Sequence, residues 1–177
     1  MDKLVIASNN AGKLKEIQRV LAPLNWEVLP QSAFNIPEAD EPHHTFIENA
    51  LAKARHASKL AGLPALADDS GICVDALGGA PGVYSARYAG LPKSDERNNQ
   101  TLLDMMNNQS NRKAHYYCVL VMLRHSGDPQ PIIAEGSWQG EIARKPRGEG
   151  GFGYDPLFFL PELNKMSAEL KNKKKNK

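Results

Sequence analysis

Two lysines, two groups of acids and one glycine-rich aromatic loop are the parts of this 177-residue sequence whose types and spacing could do chemistry. "SNNAGK", residues 8–13, follows the apolar run Leu4, Val5, Ile6, Ala7 and opens an amphipathic stretch. A helix N-terminus offers unpaired N–H groups and partial positive charge, so it can hold an anion. Asn9 and Asn10 tolerate left-handed backbone, Gly12 permits close approach, and Lys13 adds a full charge. The pattern is neither G-x-x-x-x-G-K-[ST] nor G-x-G-x-x-G, so helix capping and phosphate binding both stay open. Asp68 and Asp69 end an apolar run before Ser70 and Gly71. Adjacent strand residues face opposite ways, so one carboxylate would face a cleft while the other capped the turn. Glu38, Asp40 and Glu41 form a second acidic group on a loop. Mg²⁺ takes one or two carboxylates with water and substrate phosphate oxygens, so two acidic segments could share one ion; solvated acids are the alternative. His43 and His44 lack a partner cysteine or H-x-x-x-H spacing, which argues against zinc. Lys53 is either a phosphate ligand or helix surface, with Arg55, His56 and Lys59. "GGFGYDP" combines backbone freedom, two rings and Asp155. It could wrap a planar base, stacking on one ring and accepting a hydrogen bond, or be a turn with core aromatics. Gly78, Pro81 and Gly82 read as structural, and Arg87 is assigned no chemistry.

Elements must hold these side chains in place. "KLVIA" reads as a strand, and Leu14, Ile17, Val20, Leu21 and Leu24 fall at helical spacing. Residues 30–44 read as a long loop or hairpin edge. Thr45 and Glu48 stand in capping-box spacing at the head of a helix that closes at Gly62. "PALADDSGICVDAL" reads as a strand, a polar break over residues 68–71 and a second strand, and "GGAPGVYSARYAG" as a glycine-rich loop. Residues 94–109 read as a helix with Asp95 and Glu96 suited to its dipole. "AHYYCVLVMLRH" and "PIIAEGSWQGEIA" predict a hairpin, and a last loop and strand follow. The sum is one α/β domain on a mixed, twisted sheet. Hydrophobic residues are 41% and charged ones 24%, a balance that excludes wholesale disorder. No apolar run approaches the roughly 18 residues that span a bilayer, so no membrane role and a cytoplasmic location are expected. The net charge of +2 includes five lysines in the last seven positions, and without them the balance is −3. Basic residues gathered at one end, not spread over a face, argue against a nucleic-acid partner. Cys73 and Cys118 sit far apart in apolar runs and are expected to be buried free thiols.

Taken together, "SNNAGKLKEI", "TFIENALAKARHA", "ADDSGICVDALGGAPGVYSARYAG" and "GGFGYDPLFF" resemble the dITP/XTP pyrophosphatase (inosine triphosphatase) family. The resemblance runs from the first strand to about residue 170. It implies an elongated mixed sheet flanked by helices, two lobes with a central cleft, and a Mg²⁺-dependent homodimer. The implied activity is hydrolysis of ITP, dITP and XTP to the monophosphate and pyrophosphate. The implied triphosphate loop is Ser8, Asn9, Asn10, Ala11, Gly12 and Lys13. Glu41 and Asp69 would bind the metal, with Asp69 also the proton acceptor. Lys13 and Lys53 would reach the phosphates and Ser70 the substrate. Phe152, Gly153, Tyr154 and Asp155 would hold the base, and Lys175 would contact substrate. The family pattern continues past that lysine with a Ser-His-Arg motif that contacts the purine, and residues 1–177 stop before it. Rival readings are a related-fold pyrophosphatase for other modified nucleotides and a non-catalytic nucleotide-binding protein.

Overall fold

The computed structural model describes residues 2–8 and 10–170, so Asn9 and Lys175, both implied substrate contacts, lie outside the described residues. The elements run β1 (Asp2–Ile6), α1 (Ala11–Leu21), β2 (Trp26–Pro30), α2 (Phe46–Ala61), β3 (Ala65–Val74), α3 (Asp95–Met105), β4 (Lys113–Leu123), β5 (Ile132–Ile142), β6 (Phe158–Leu160) and β7 (Lys165–Met166). The strands form one seven-stranded sheet in the order β2-β1-β3-β4-β5-β6-β7. β1 pairs parallel with β2 and β3, whereas β6 pairs antiparallel with β5 and β7, so the sheet is mixed, as expected. Parallel neighbours need a crossover, which α1 and α2 supply.

The chain divides into two compact units, Met1–Asp69 with Cys118–Glu135, and Ser70–Tyr117 with Gly136–Lys177. In the first, Leu4, Ile6 and Val28 pack against Leu14, Ile17 and Leu21 of α1. Val5 points the other way by strand alternation and is fully buried. Ala50, Ala54 and Ala57 recur once per turn of α2 and are fully buried, which lets that helix lie close on β1. The expected cap is present: Thr45 Oγ1 accepts from Glu48 N–H at 3.1 Å, and left-handed Gly62 ends the helix. In the second unit Phe158 is the centre of the core, with the Tyr116 and Trp138 rings meeting it edge-on at 4.7 and 5.7 Å.

Four sequence expectations need correction. Val20 and Leu24 are not part of the α1 core face but are 69% and 63% exposed. The helix stops at Leu21, and a 3₁₀ turn over Ala22–Leu24 ends on left-handed Asn25, carrying Leu24 off the stripe. No turn interrupts β3, which runs unbroken through residues 68–71. Its carboxylates find lysine partners, Lys13 for Asp68 and Lys53 for Asp69, and the strand continues past the last position registered with β1, Leu66. Cys73 and Cys118 are free thiols but half-buried rather than buried. Within the glycine-rich stretch expected as a loop, Gly82–Arg87 form a 3₁₀ helix.

Candidate active site

The carboxyl end of β1 is a topological switch point: the chain leaves it through α1 to β2 on one side, and β3 lies on the other. Ligands of open α/β sheets bind at such points. Here Asn10 caps α1, its Oδ1 accepting from Gly12 N–H at 2.9 Å and Lys13 N–H at 3.2 Å. Asn10 N–H in turn donates to Ser8 Oγ at 3.0 Å. A methyl at Gly12 would stand 3.2 Å from that capping oxygen, tight enough to push it aside. Capping is therefore what these side chains do in this structure, and Ala11, Gly12 and Asn10 are exposed around the helix end.

Strand parity then sorts the acids. Val5 is registered with Ala65 and Ile6 with Leu66, so Leu66 and Asp68 share the α1 face while Ala65, Ala67 and Asp69 share the α2 face. Accordingly, Lys13 Nζ of α1 lies 2.7 Å from Asp68 Oδ2. Lys53 Nζ of α2 lies 2.8 Å from Glu41 Oε1 and 3.8 Å from Asp69 Oδ1. Glu41 alone of the loop acids joins this group, since Glu38 and Asp40 are exposed. Lys53 is not helix surface; its side chain is only 16% exposed. Burial is the largest influence on that ammonium and lowers its pKa. The hydrogen bond to Glu41 and the charges of Asp69, Glu41 and Asp68 together outweigh it, leaving the pKa raised. The neighbouring Cys118 thiol is pushed up, by burial first and then by Asp68.

Two carboxylates on either side of one partly shielded cation position form a donor set of hard oxygens, which suits Mg²⁺ completed by water and phosphate. Among the described residues no group of three or more His, Cys, Asp or Glu could hold a metal by itself.

In the second unit, residues 152–155 divide by burial. Phe152 is 81% exposed and borders a groove of about 440 Å³ between α3 and this loop. Tyr154 is buried, and its hydroxyl donates to the Ser85 carbonyl at 2.6 Å. Burial pushes its pKa up, so it stays a neutral donor. Asp155 is buried and accepts from Phe152 N–H at 3.0 Å and from Ser167 Oγ at 2.7 Å. The loop thus contains one exposed ring, one core ring and one acid that braces its own backbone. Ser70 is exposed on β3. Sequence reasoning missed the partnership of Asp68 with Lys13, because it assigned Asp68 to a turn. It also missed Asn99, which donates to the Gly153 carbonyl. Consecutive asparagines inside a helix, poor helix formers both, were the available signal.

A parallel switch point bearing paired ammonium and carboxylate groups defines an α/β protein with a place for an anionic ligand at the carboxyl end of its strands. The chain belongs to the Ham1 family, whose family model matches residues 4–177. It is 67% identical to the dITP/XTP pyrophosphatase of Nitrosomonas europaea, over 100% of this chain and 87% of that protein. To the dITP/XTP pyrophosphatase of Ralstonia nicotianae it is 65% identical, over 99% and 89%. The solved HAM1 protein from Coxiella burnetii superposes with a TM-score of 0.97 at 47% identity, over 99% of this chain and 90% of that one.

Proposed function

We propose that this chain is a nucleoside triphosphate pyrophosphatase that hydrolyses the deaminated purine nucleotides ITP, dITP and XTP to the monophosphate and pyrophosphate. The observation that carries the reading is the largely shielded Lys53 ammonium between Glu41 and Asp69, beside the Lys13–Asp68 pair at the switch point. The names of its Ham1-family relatives support the substrate class.

In this reading Lys13 and Lys53 neutralise charge on the triphosphate, and Ser8, Asn10, Ala11 and Gly12 line its site. Water attacks the α-phosphorus, the bond from that phosphorus to the bridging oxygen of the β-phosphate breaks, and pyrophosphate leaves. Asp69 takes the proton from the attacking water. Glu41 and Asp69 would hold Mg²⁺, which when bound supplies charge neutralisation and acidifies water.

The base is read by residues 152–155. Hypoxanthine and xanthine present a donor at N1 and an acceptor at O6, and adenine reverses both. Phe152 stacks on the ring face, and Asp155 would accept N1–H in addition to its bonds from Phe152 N–H and Ser167 Oγ, whereas adenine would set its N1 lone pair against the same carboxylate. A homodimeric state, which rests on the family resemblance, and a cytoplasmic location complete the proposal. The decisive assay is pyrophosphate release from a panel of triphosphates with and without Mg²⁺. ITP and XTP should far exceed ATP, only with metal; a nucleoside diphosphate as first product would overturn the α-phosphorus route.

A further inference from the structure

Gly153 stands mid-loop with φ of 60°, a conformation that favours glycine, and one helix end grips both of its backbone polar groups. Its N–H donates to Asp95 Oδ2 at 3.0 Å, and its carbonyl accepts from Asn99 Nδ2 at 2.8 Å. Asp95 and Asn99 are four apart on α3 and so share a face. Asn99 Nδ2 also donates to the Asp95 carbonyl at 2.7 Å. With two carbonyls against one NH₂ group, the amide has a single workable orientation, since the reverse would set oxygen against oxygen twice. The helix itself is anchored next door. Asn98, 2% exposed, accepts from Ala89 N–H at 2.8 Å and donates to the Ala86 carbonyl at 2.9 Å. Phe152 therefore sits between two fixed points, Gly153 held by α3 and its own N–H held by Asp155. An exposed ring on a fixed backbone costs less ordering entropy when a ligand stacks on it.

We propose that Asp95 and Asn99 are positioning residues that hold the Gly153 backbone on both sides and so set how tightly Phe152 stacks on the nucleobase. The proposal rests on the base-loop reading above. Stacking is equal in ground and transition states, so its loss belongs in KM rather than kcat. Asp95→Ala and Asn99→Ala should each raise KM for ITP about three- to tenfold, the worth of one hydrogen bond, with kcat within about twofold. Asp95→Asn removes the charge at the helix N-terminus but keeps an acceptor for Gly153 N–H, and should restore most of the loss. Inhibition by inorganic tripolyphosphate, which has no base, should be the same in all variants. Equal defects in Asp95→Asn and Asp95→Ala would assign the effect to helix charge and overturn the proposal, as would a parallel loss of tripolyphosphate inhibition. Phe152→Ala separates base stacking from the hold that α3 keeps on Gly153. If it leaves KM for ITP unchanged, the base-loop reading fails and takes the proposal with it. If it raises KM while the Asp95 and Asn99 variants do not, the proposal alone fails.

Discussion

Burial lowers the proton affinity of the Lys53 ammonium, while Glu41, Asp69 and Asp68 raise it by more. A folded pKa above the unfolded value contributes stability that is full below about 10.4 and lost as pH rises through the folded value. Lys53 should thus stay charged across pH 6–10, and no inflection in the pH–rate profile there should disappear in Lys53→Met. Asp68 and Asp69 are neighbours with different duties. Asp69→Asn removes the proposed base and a metal ligand and should cut kcat by roughly two to four orders of magnitude. Asp68→Asn leaves Lys13 an acceptor but no counter-charge. Lys13 is 38% exposed, so the stability cost should be under about 1 kcal/mol, and KM should move by less than about tenfold. Equal kcat losses in the two variants, at equal folded fraction, would contradict the assignment of faces.

Elements position these residues by close approach. Gly140 of β5 has no room for a side chain: an added Cβ would lie 2.6 Å from the Phe158 ring and 2.7 Å from the Phe159 carbonyl oxygen. The ring could turn, but the carbonyl belongs to the paired strand β6 and cannot. Gly140→Ala should therefore cost about 1–3 kcal/mol, read as a lower denaturant midpoint with unchanged m-value. An unchanged midpoint would show that the β5–β6 pairing yields easily. α2 was legible in the sequence because its cap, alanine spacing and terminal glycine are all local signals. β3 was not, because the partners that keep Asp68 and Asp69 in a strand come from α1 and α2.

At the scale of the molecule, the chain divides into two units, and the implied site residues divide with it. Lys13, Glu41, Lys53 and Asp69 belong to the first and residues 152–155 to the second. Inorganic tripolyphosphate should slow amide exchange at residues 10–14 and leave residues 152–155 unaffected, whereas a nucleotide should slow both. Protection of both segments by tripolyphosphate would show that the base loop responds to phosphate as well. Among the described residues no helix is long and apolar enough to cross a membrane.

The sequence by itself determined the inventory: an apolar strand leading into an amphipathic helix, a lysine in the middle of α2, adjacent carboxylates, and a glycine loop with two rings and an acid. Those follow from local spacing and backbone preference. Tertiary structure decided who meets whom, because Lys13 and Asp68 are 55 residues apart and Asp95 and Gly153 are 58. The deciding quantity is strand register. With Ile6 beside Leu66, Asp68 faces α1 and Asp69 faces α2. Side chains alternate along a strand, so a slip of one residue would exchange the two carboxylates between the two lysines. That register is set by burial of Val5, Ala65 and Ala67 on one face and Ile6 on the other, which no local run of sequence specifies.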